Sequence, residues 1–200
     1  MALDHAILVS LAERPGTGYE LGRQFGRTIG HFWNASHQQI YRTLARLDER
    51  GLVDCAAVPQ EGKPDKKVYS LSAAGRAELR EWVSSPTPLQ SLRDDLGVKI
   101  RAAEHADLPE LIAEIERHRE LHVARLDLYR SFEAEQFPEA EGLTGRALHQ
   151  HLVLRGGLGI EEFFVAWCTE VLDGLRRELA GAGPGATDGQ GSTEDRPPPE

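Results

Sequence analysis

Cysteine is scarce in this 200-residue sequence. Cys55 and Cys168 are the only two, far apart and in no metal-binding or redox spacing. That excludes a zinc ribbon or a disulfide framework and fits the reduced thiols of a cytoplasmic protein. No apolar run approaches the roughly 20 residues that span a bilayer, so no membrane partner is expected. The opening MALDHAIL lacks a basic stretch and a cleavage site, and no secretion signal is expected there. Signatures of catalysis are missing as well: there is no phosphate-binding glycine loop, no nucleophile elbow and no clustered acid–base set. An enzyme is therefore not expected, and no cofactor is implied. Positive charge is also in short supply, with 23 Lys and Arg against 32 Asp and Glu and a net charge of −9. Taken in bulk, that balance argues against a nucleic-acid partner.

Its distribution reverses the argument. Residues 1–83 hold 11 Lys and Arg against 10 Asp and Glu, a net +1; residues 84–180 carry −7 and residues 181–200 carry −3. Any affinity for DNA must then come from clustering on one face of the first part.

The chain reads as a series of helices with one hairpin. Residues 4–13 form a short apolar helix with Asp4 as its cap and Ile7, Leu8 and Leu11 buried. Thr17 to Glu20 has the spacing of a capping box, and a second helix runs from Gly18 to about Ile29, with HFWN as the turn that follows. Ser36 to Gln39 is another capping box. The helix behind it puts Ile40, Leu44 and Leu47 on one stripe, and Gln38, Arg42 and Glu49 on the opposite side. Gly51 supplies its stop. LVDCAAV, a turn PQEGKPD and KKVYSL then read as a two-stranded ribbon. Ser72 caps a fourth helix over residues 73–83, and a Ser/Pro stretch at 84–91 reads as a linker. Beyond it lie helices over 92–103, 108–132 (capped by Asp107) and 144–179. Residues 181–200 hold five Gly and four Pro with almost no apolar side chain, a composition expected to be disordered.

The helix after Ser36 has what entry into a major groove requires: an apolar stripe to anchor it, an outer face free of large hydrophobes, and polar groups near its N-terminus. Gln38 and Gln39 can each pair bidentately with adenine, and Arg42 can fork onto guanine or hold a phosphate. Tyr41 and Arg46 flank the face, where phosphate contacts are expected. Tyr19, at the capped start of the second helix, lies where backbone N–H groups can meet a phosphate. Lys63, Lys66 and Lys67 crowd what reads as the tip of the ribbon, placed for phosphates or the minor groove.

These residues resemble the PadR family of winged-helix transcriptional regulators. The matching pieces are GYEL (18–21), FW before SHQQIYRTLARLDERGLV (36–53), QEGKPDKKVYSLSAAGRAELREW (60–82) and LRDDLGVKIRAA (92–103). The C-terminal helices are similar in length and layout to the Vir-type helical dimerisation module of the family's larger subgroup. The resemblance implies a mainly helical fold, with a winged helix-turn-helix over 1–83, a linker over 84–91 and a helical dimerisation domain over 92–180. It implies a homodimeric repressor of a pseudo-palindromic double-stranded operator, released in some members by a small aromatic effector. Tyr41 matches the family's aromatic in the recognition helix, and Lys63 a wing position that is often arginine. Arg42 departs from the proline many members carry there, and Asp65 puts an acid in the wing.

In the last helix Leu148, Leu152, Ile160, Phe163, Phe164, Trp167, Val171 and Leu175 form an apolar set too broad for a lone surface helix, which implies a second copy. Gly156, Gly157 and Gly159 interrupt it, which suits a kink or a close helix crossing, with a hinge that relays ligand binding as the functional alternative. Phe163, Phe164 and Trp167 read first as core; an effector site is otherwise expected between them and the end of the preceding helix, at Tyr129 and Phe132. His118 and His122 stand four apart with no third ligand, and are expected as surface histidines rather than a metal site. The alternative function is a winged-helix module that docks proteins and does not bind DNA.

Overall fold

The structure, a computed structural model, describes residues 2–25, 35–60, 63–89 and 94–181. The HFWN turn, the expected end of the second helix beyond Phe25 and the tail from residue 182 lie outside the described residues. The backbone divides into two units, residues 1–91 and 92–200.

The first unit runs α1 (Ala2–Glu13), α2 (Gly18–Phe25), α3 (His37–Glu49), β1 (Val53–Gln60), β2 (Lys63–Leu71) and α4 (Ala73–Ser84). One apolar core joins them. Ile7, Leu8 and Leu11 of α1, Leu21 and Phe25 of α2, and Ile40, Leu44 and Leu47 of α3 close over Val53, Tyr69 and Leu71. The sequence places these residues at helical or alternating spacing, so each element has one oily side to bury. Asp4 does not cap α1, as its position before the apolar run suggests. The helix begins at Ala2, and the carboxylate is buried inside it.

The ribbon is longer than its sequence implies. β1 and β2 pair antiparallel from Val53↔Leu71 to Gln60↔Lys63, so Lys63, Pro64 and Asp65 belong to a strand and not to a turn. The register shifts between Val58 and Gln60. Pro59 sits in that shift, where a residue without an N–H costs the ladder nothing. The ribbon's base is pinned from the other side: Gly16 and Tyr69 exchange two backbone hydrogen bonds of 3.0 and 2.9 Å.

The second unit holds α5 (Asp95–Arg101), a 3-10 turn (Ala103–His105), α6 (Leu108–Gln136) and α7 (Gly145–Gly181). α5 starts later than the sequence suggests because Asp94 caps it, accepting from the Leu96 N–H at 3.0 Å. α6 runs four residues past Phe132. Two clusters hold the long helices together. Leu111, Ile112 and Ile115 meet Leu96, Cys168, Leu172 and Leu175. Leu126 and Tyr129 meet Leu158. The broad apolar set of α7 is thus split: Leu175 faces inward, whereas Leu152, Ile160 and Phe163 are exposed. α7 stays helical through Gly156, Gly157 and Gly159. His122 is not a surface histidine; its Nδ1 lies 2.5 Å from the buried Glu161 carboxylate, and its ring stacks on Phe164. Among the described residues no helix is long and apolar enough to cross a membrane, and no group of three His, Cys, Asp or Glu is placed to hold a metal.

Candidate nucleic-acid interface

Both capping boxes form. The Thr17 hydroxyl accepts from the Glu20 N–H, and the Glu20 carboxylate accepts from the Thr17 N–H at 2.8 Å. At α3 the Ser36 hydroxyl accepts from the Gln39 N–H, and Gln39 Oε1 accepts from the Ser36 N–H at 2.8 Å. Each box satisfies helix donors that would otherwise go unpaired and fixes where its helix begins. In this geometry the Gln39 carboxamide oxygen is turned back to the Ser36 N–H. Gln38 is exposed on the outer face and carries no such commitment.

α2 and α3 approach closely because two glycines of α2 make room for two rings of α3. A Cβ built on Gly18 would lie 2.4 Å from the Tyr41 ring, and one on Gly22 would lie 2.4 Å from the His37 ring. Gly18 and Gly22 are four apart on α2, and His37 and Tyr41 are four apart on α3, so each pair shares a helix face. Tyr19 completes the contact by stacking on His37, ring centres 6.1 Å apart. Tyr19 and Tyr41 are 57% and 50% exposed, with the outer part of each ring in solvent. The signal for this packing, glycine at i and i+4 in GYELG, stood in the sequence, but only the partner rings give it meaning.

The cations of the unit are unequally free. Arg42 points outward with no ion-pair partner among the described residues. Arg46, expected at a phosphate-facing flank, instead donates to buried Asp4 Oδ1, and Arg50 donates to Asp4 Oδ2 at 3.4 Å. On the wing, Lys66 Nζ sits 2.9 Å from Glu20 Oε1. Hydrogen bonds from the Thr17 N–H and then from Lys66 pull the Glu20 carboxyl down to about 2. Lys67 is exposed. Lys63 contributes its backbone to β2, and its side chain lies outside the described residues. The Lys63 backbone thus stands at the end of the ribbon, and Lys66 and Lys67 follow three and four residues farther along β2.

The aromatic residues singled out in the second unit pack on two clusters. Tyr129 is buried with Leu126 and Leu158, and Phe132 packs beside them. Trp167 packs on the other cluster. Phe163 is 57% exposed; it stacks on Trp167 at 6.4 Å and meets Phe164 edge-on. An open recess of about 520 Å³ lies elsewhere, lined by Val98, Arg101, Ala102, His105 and Trp167 among others.

Residues 7–81 match the model of the transcriptional regulator PadR-like family, and residues 92–176 match that of the virulence activator alpha C-terminal region. A probable transcriptional regulator of Mycobacterium tuberculosis, Rv1176c, is 45% identical over 188 residues, covering 89% of this chain and all of that one. Among solved structures, the Vibrio cholerae virulence activator AphA is similar at 32% identity and a TM-score of 0.74, over 88% of this chain and 99% of that one. Bacillus subtilis PadR in complex with operator DNA is similar in fold, at 24% identity and a TM-score of 0.78, over 88% and 99% of the two chains. The same Bacillus protein in complex with p-coumaric acid gives a TM-score of 0.71 at 24% identity, over 87% and 95%.

Proposed function

Because this chain belongs to the PadR-like family of transcriptional regulators, whose members work by binding and not by catalysis, we propose that it is a cytoplasmic homodimeric repressor that reads a pseudo-palindromic operator. Residues 1–83 bind DNA, residues 84–91 link, and residues 92–180 dimerise. The observation that carries this reading is α3: a capped helix whose inner side is fully buried at Ile40, Leu44 and Leu47 while Gln38 and Arg42 stand exposed on the outer side. A rigid, convex, polar helix of this kind fits a major groove. Gln38 reads a base edge, and Arg42 takes guanine or a phosphate. Tyr41 and Tyr19 flank them. Lys63, Lys66 and Lys67 of the wing meet phosphates, Lys66 by exchanging Glu20 for one.

The second copy finds its place on α7. Val153, Ile160 and Phe163 form an exposed stripe at spacings of seven and three, with Gly156 between them and open space where its Cβ would be. Such a stripe is an interaction surface, and a two-fold pair supplies the symmetry of a palindrome. A small aromatic effector, a ligand class consistent with the p-coumaric acid bound in the Bacillus structure, would find its aromatic wall in the recess at Trp167.

Fluorescence anisotropy tests the DNA reading, using a randomised 30-base-pair duplex pool and the sequence that the full chain enriches from it. Gln38→Ala or Arg42→Ala is expected to lower the preference for the enriched sequence by about 1–3 kcal/mol. Lys67→Ala is expected to weaken all duplexes alike and to flatten the slope of log K against log salt by about 0.9. Absent or salt-insensitive binding to every duplex would overturn the reading in favour of a protein-docking module.

A further inference from the structure

Three arginines lie on or at the end of α3, and two of them are held by a single carboxylate. Asp4 is 3% exposed. Its Oδ1 accepts from Arg46 Nη2 and its Oδ2 from Arg50 Nη1. Arg46 Nη2 also reaches the buried Thr43 hydroxyl at 3.5 Å, and Arg46 Nε is buried without a partner. The guanidinium is therefore drawn inward against α1 and does not fan into solvent. Arg50 is held a second time, by Glu78 Oε1 of α4 at 3.8 Å, and the same oxygen contacts His5 Nε2 at 3.3 Å. Only Arg42, one turn before Arg46, is left without an acid among the described residues.

We infer that Asp4 is a specificity-determining positioning residue: by holding Arg46 and Arg50 against α1 it withholds two cations from DNA phosphates, so that Arg42 alone carries the charge of α3 into the groove. The inference rests on the reading of α3 as the DNA-facing helix. Its physical basis is the difference between phosphate and base contacts. Phosphate contacts raise affinity for every sequence, whereas base contacts discriminate. A buried carboxylate costs free energy to desolvate and keeps its partners only with good geometry. Two guanidinium groups satisfying both oxygens of one carboxylate supply that geometry, and they also hold the C-terminal half of α3 to α1 and α4. Arg46 and Arg50 remain 42% and 46% exposed along their side chains, so either can swing outward once Asp4 loses its charge.

The test compares full-length wild type, Asp4→Asn, Arg46→Gln and the double variant on the randomised duplex pool and on the sequence wild type enriches from it, between 50 and 200 mM NaCl. At about 0.9 per phosphate contact, two released cations steepen the slope of log K against log salt by up to about 1.8, which is about 12-fold extra affinity gained between 200 and 50 mM. Asp4→Asn is expected to show this steepening and a smaller ratio of enriched to random binding. Adding Arg46→Gln to Asp4→Asn is expected to take back about half of it. Arg46→Gln by itself is expected to leave the slope as in wild type, because Asp4 already withholds that arginine. This last variant keeps Asp4 and does not depend on how well Asp4→Asn folds. A flatter slope in Arg46→Gln would show Arg46 on a phosphate and overturn the inference, as would a folded Asp4→Asn with the wild-type slope. Wild type that binds no duplex with salt dependence would remove the DNA reading itself, and this inference with it. Salt-dependent wild type with an unresponsive Asp4→Asn would remove this inference alone.

Discussion

Gly18→Ala tests the α2–α3 contact and the role proposed for Tyr41 while leaving the Tyr41 side chain chemically unchanged. The new methyl would lie 2.4, 2.8 and 2.9 Å from Cε1, Cδ1 and Cζ of Tyr41. Carbon atoms in ordinary contact sit about 3.5–4.0 Å apart, so the ring must retreat by about 1 Å or more. It has somewhere to go, because Tyr41 is half exposed and its far side is solvent. The fold is therefore expected to tolerate the change. Gly18 opens α2, where alanine gains less over glycine than the roughly 1 kcal/mol of a helix interior, so the loss of ring packing is offset in part and the net change in stability stays within about 1 kcal/mol.

DNA binding is expected to respond more strongly. A tyrosine hydroxyl bonded to a phosphate at about 2.7–2.8 Å would stand near 3.7 Å after such a shift, outside bonding distance. A hydrogen bond to a charged group contributes about 1.5–3 kcal/mol, so Kd should rise by roughly ten- to 150-fold. Tyr41→Phe should lose the same bond. Adding Gly18→Ala to Tyr41→Phe should then cost little more. Anisotropy titrations on the enriched duplex, with thermal unfolding in parallel, give both quantities. Wild-type affinity in Gly18→Ala refutes the role given to Tyr41. An equal loss in the presence and absence of the Tyr41 hydroxyl places the effect in α2. A large drop in Tm means that the ring cannot yield and that the contact is part of the core.

Two further outcomes follow from the same geometry. The Glu20 carboxyl titrates near 2 in the folded chain against an ordinary 4.5, so the stability it contributes is complete above about 4.5 and is lost as pH falls through about 2. Glu20→Gln keeps the capping box, and its unfolding free energy should fall less than wild type's over that window; a carbon-13 titration of Glu20 with its midpoint at 4.5 would contradict this. Gly156 and Gly159 have open space where a Cβ would go, so alanine at either should stabilise the isolated helix pair by about 0.5–1 kcal/mol. Should a second copy cross at Gly156, Gly156→Ala should weaken the dimer in sedimentation while Gly159→Ala, off the stripe, leaves it intact.

What could be read from the sequence was local. The boxes at Thr17 and Ser36 and the stripe of Ile40, Leu44 and Leu47 depend on residues within one or two turns of each other, and the structure forms them as the spacing implies. What could not be read depends on distant partners. Asp4 looks like a cap because an acid before an apolar run usually is one; its use is set by Arg46, 42 residues away. The segment GKPDKK carries turn residues, and Pro64 ordinarily argues against a strand. A two-stranded ribbon tolerates proline because each strand has an edge free of ladder bonds. On α7 a broad apolar set is visible, but which residues face inward depends on where α6 lies. Leu158, Cys168 and Leu172 are buried there while Leu152 and Ile160 are not.

On the proposed DNA reading, the acids of the first unit would act on recognition as well as on stability. A domain of net +1 starts with little sequence-independent attraction to a polyanion. Glu20 reduces that attraction further by holding Lys66. The pair is exposed, so it costs at most about 1 kcal/mol to break, and a phosphate at the wing can replace the carboxylate. On the proposed reading, that exchange would require the wing to sit correctly over the backbone, and so would follow the seating of α3. A single unit would then hold any DNA weakly, and useful affinity would require two seated units joined through one dimer, where the second binding event is intramolecular. If Lys66 leaves Glu20 for a phosphate at each wing, Glu20→Gln should raise binding to the full palindrome, where two such pairs are broken, by a larger factor than binding to a lone half-site, where one is. Unchanged affinity for both duplexes would mean that Glu20 serves only the cap of α2.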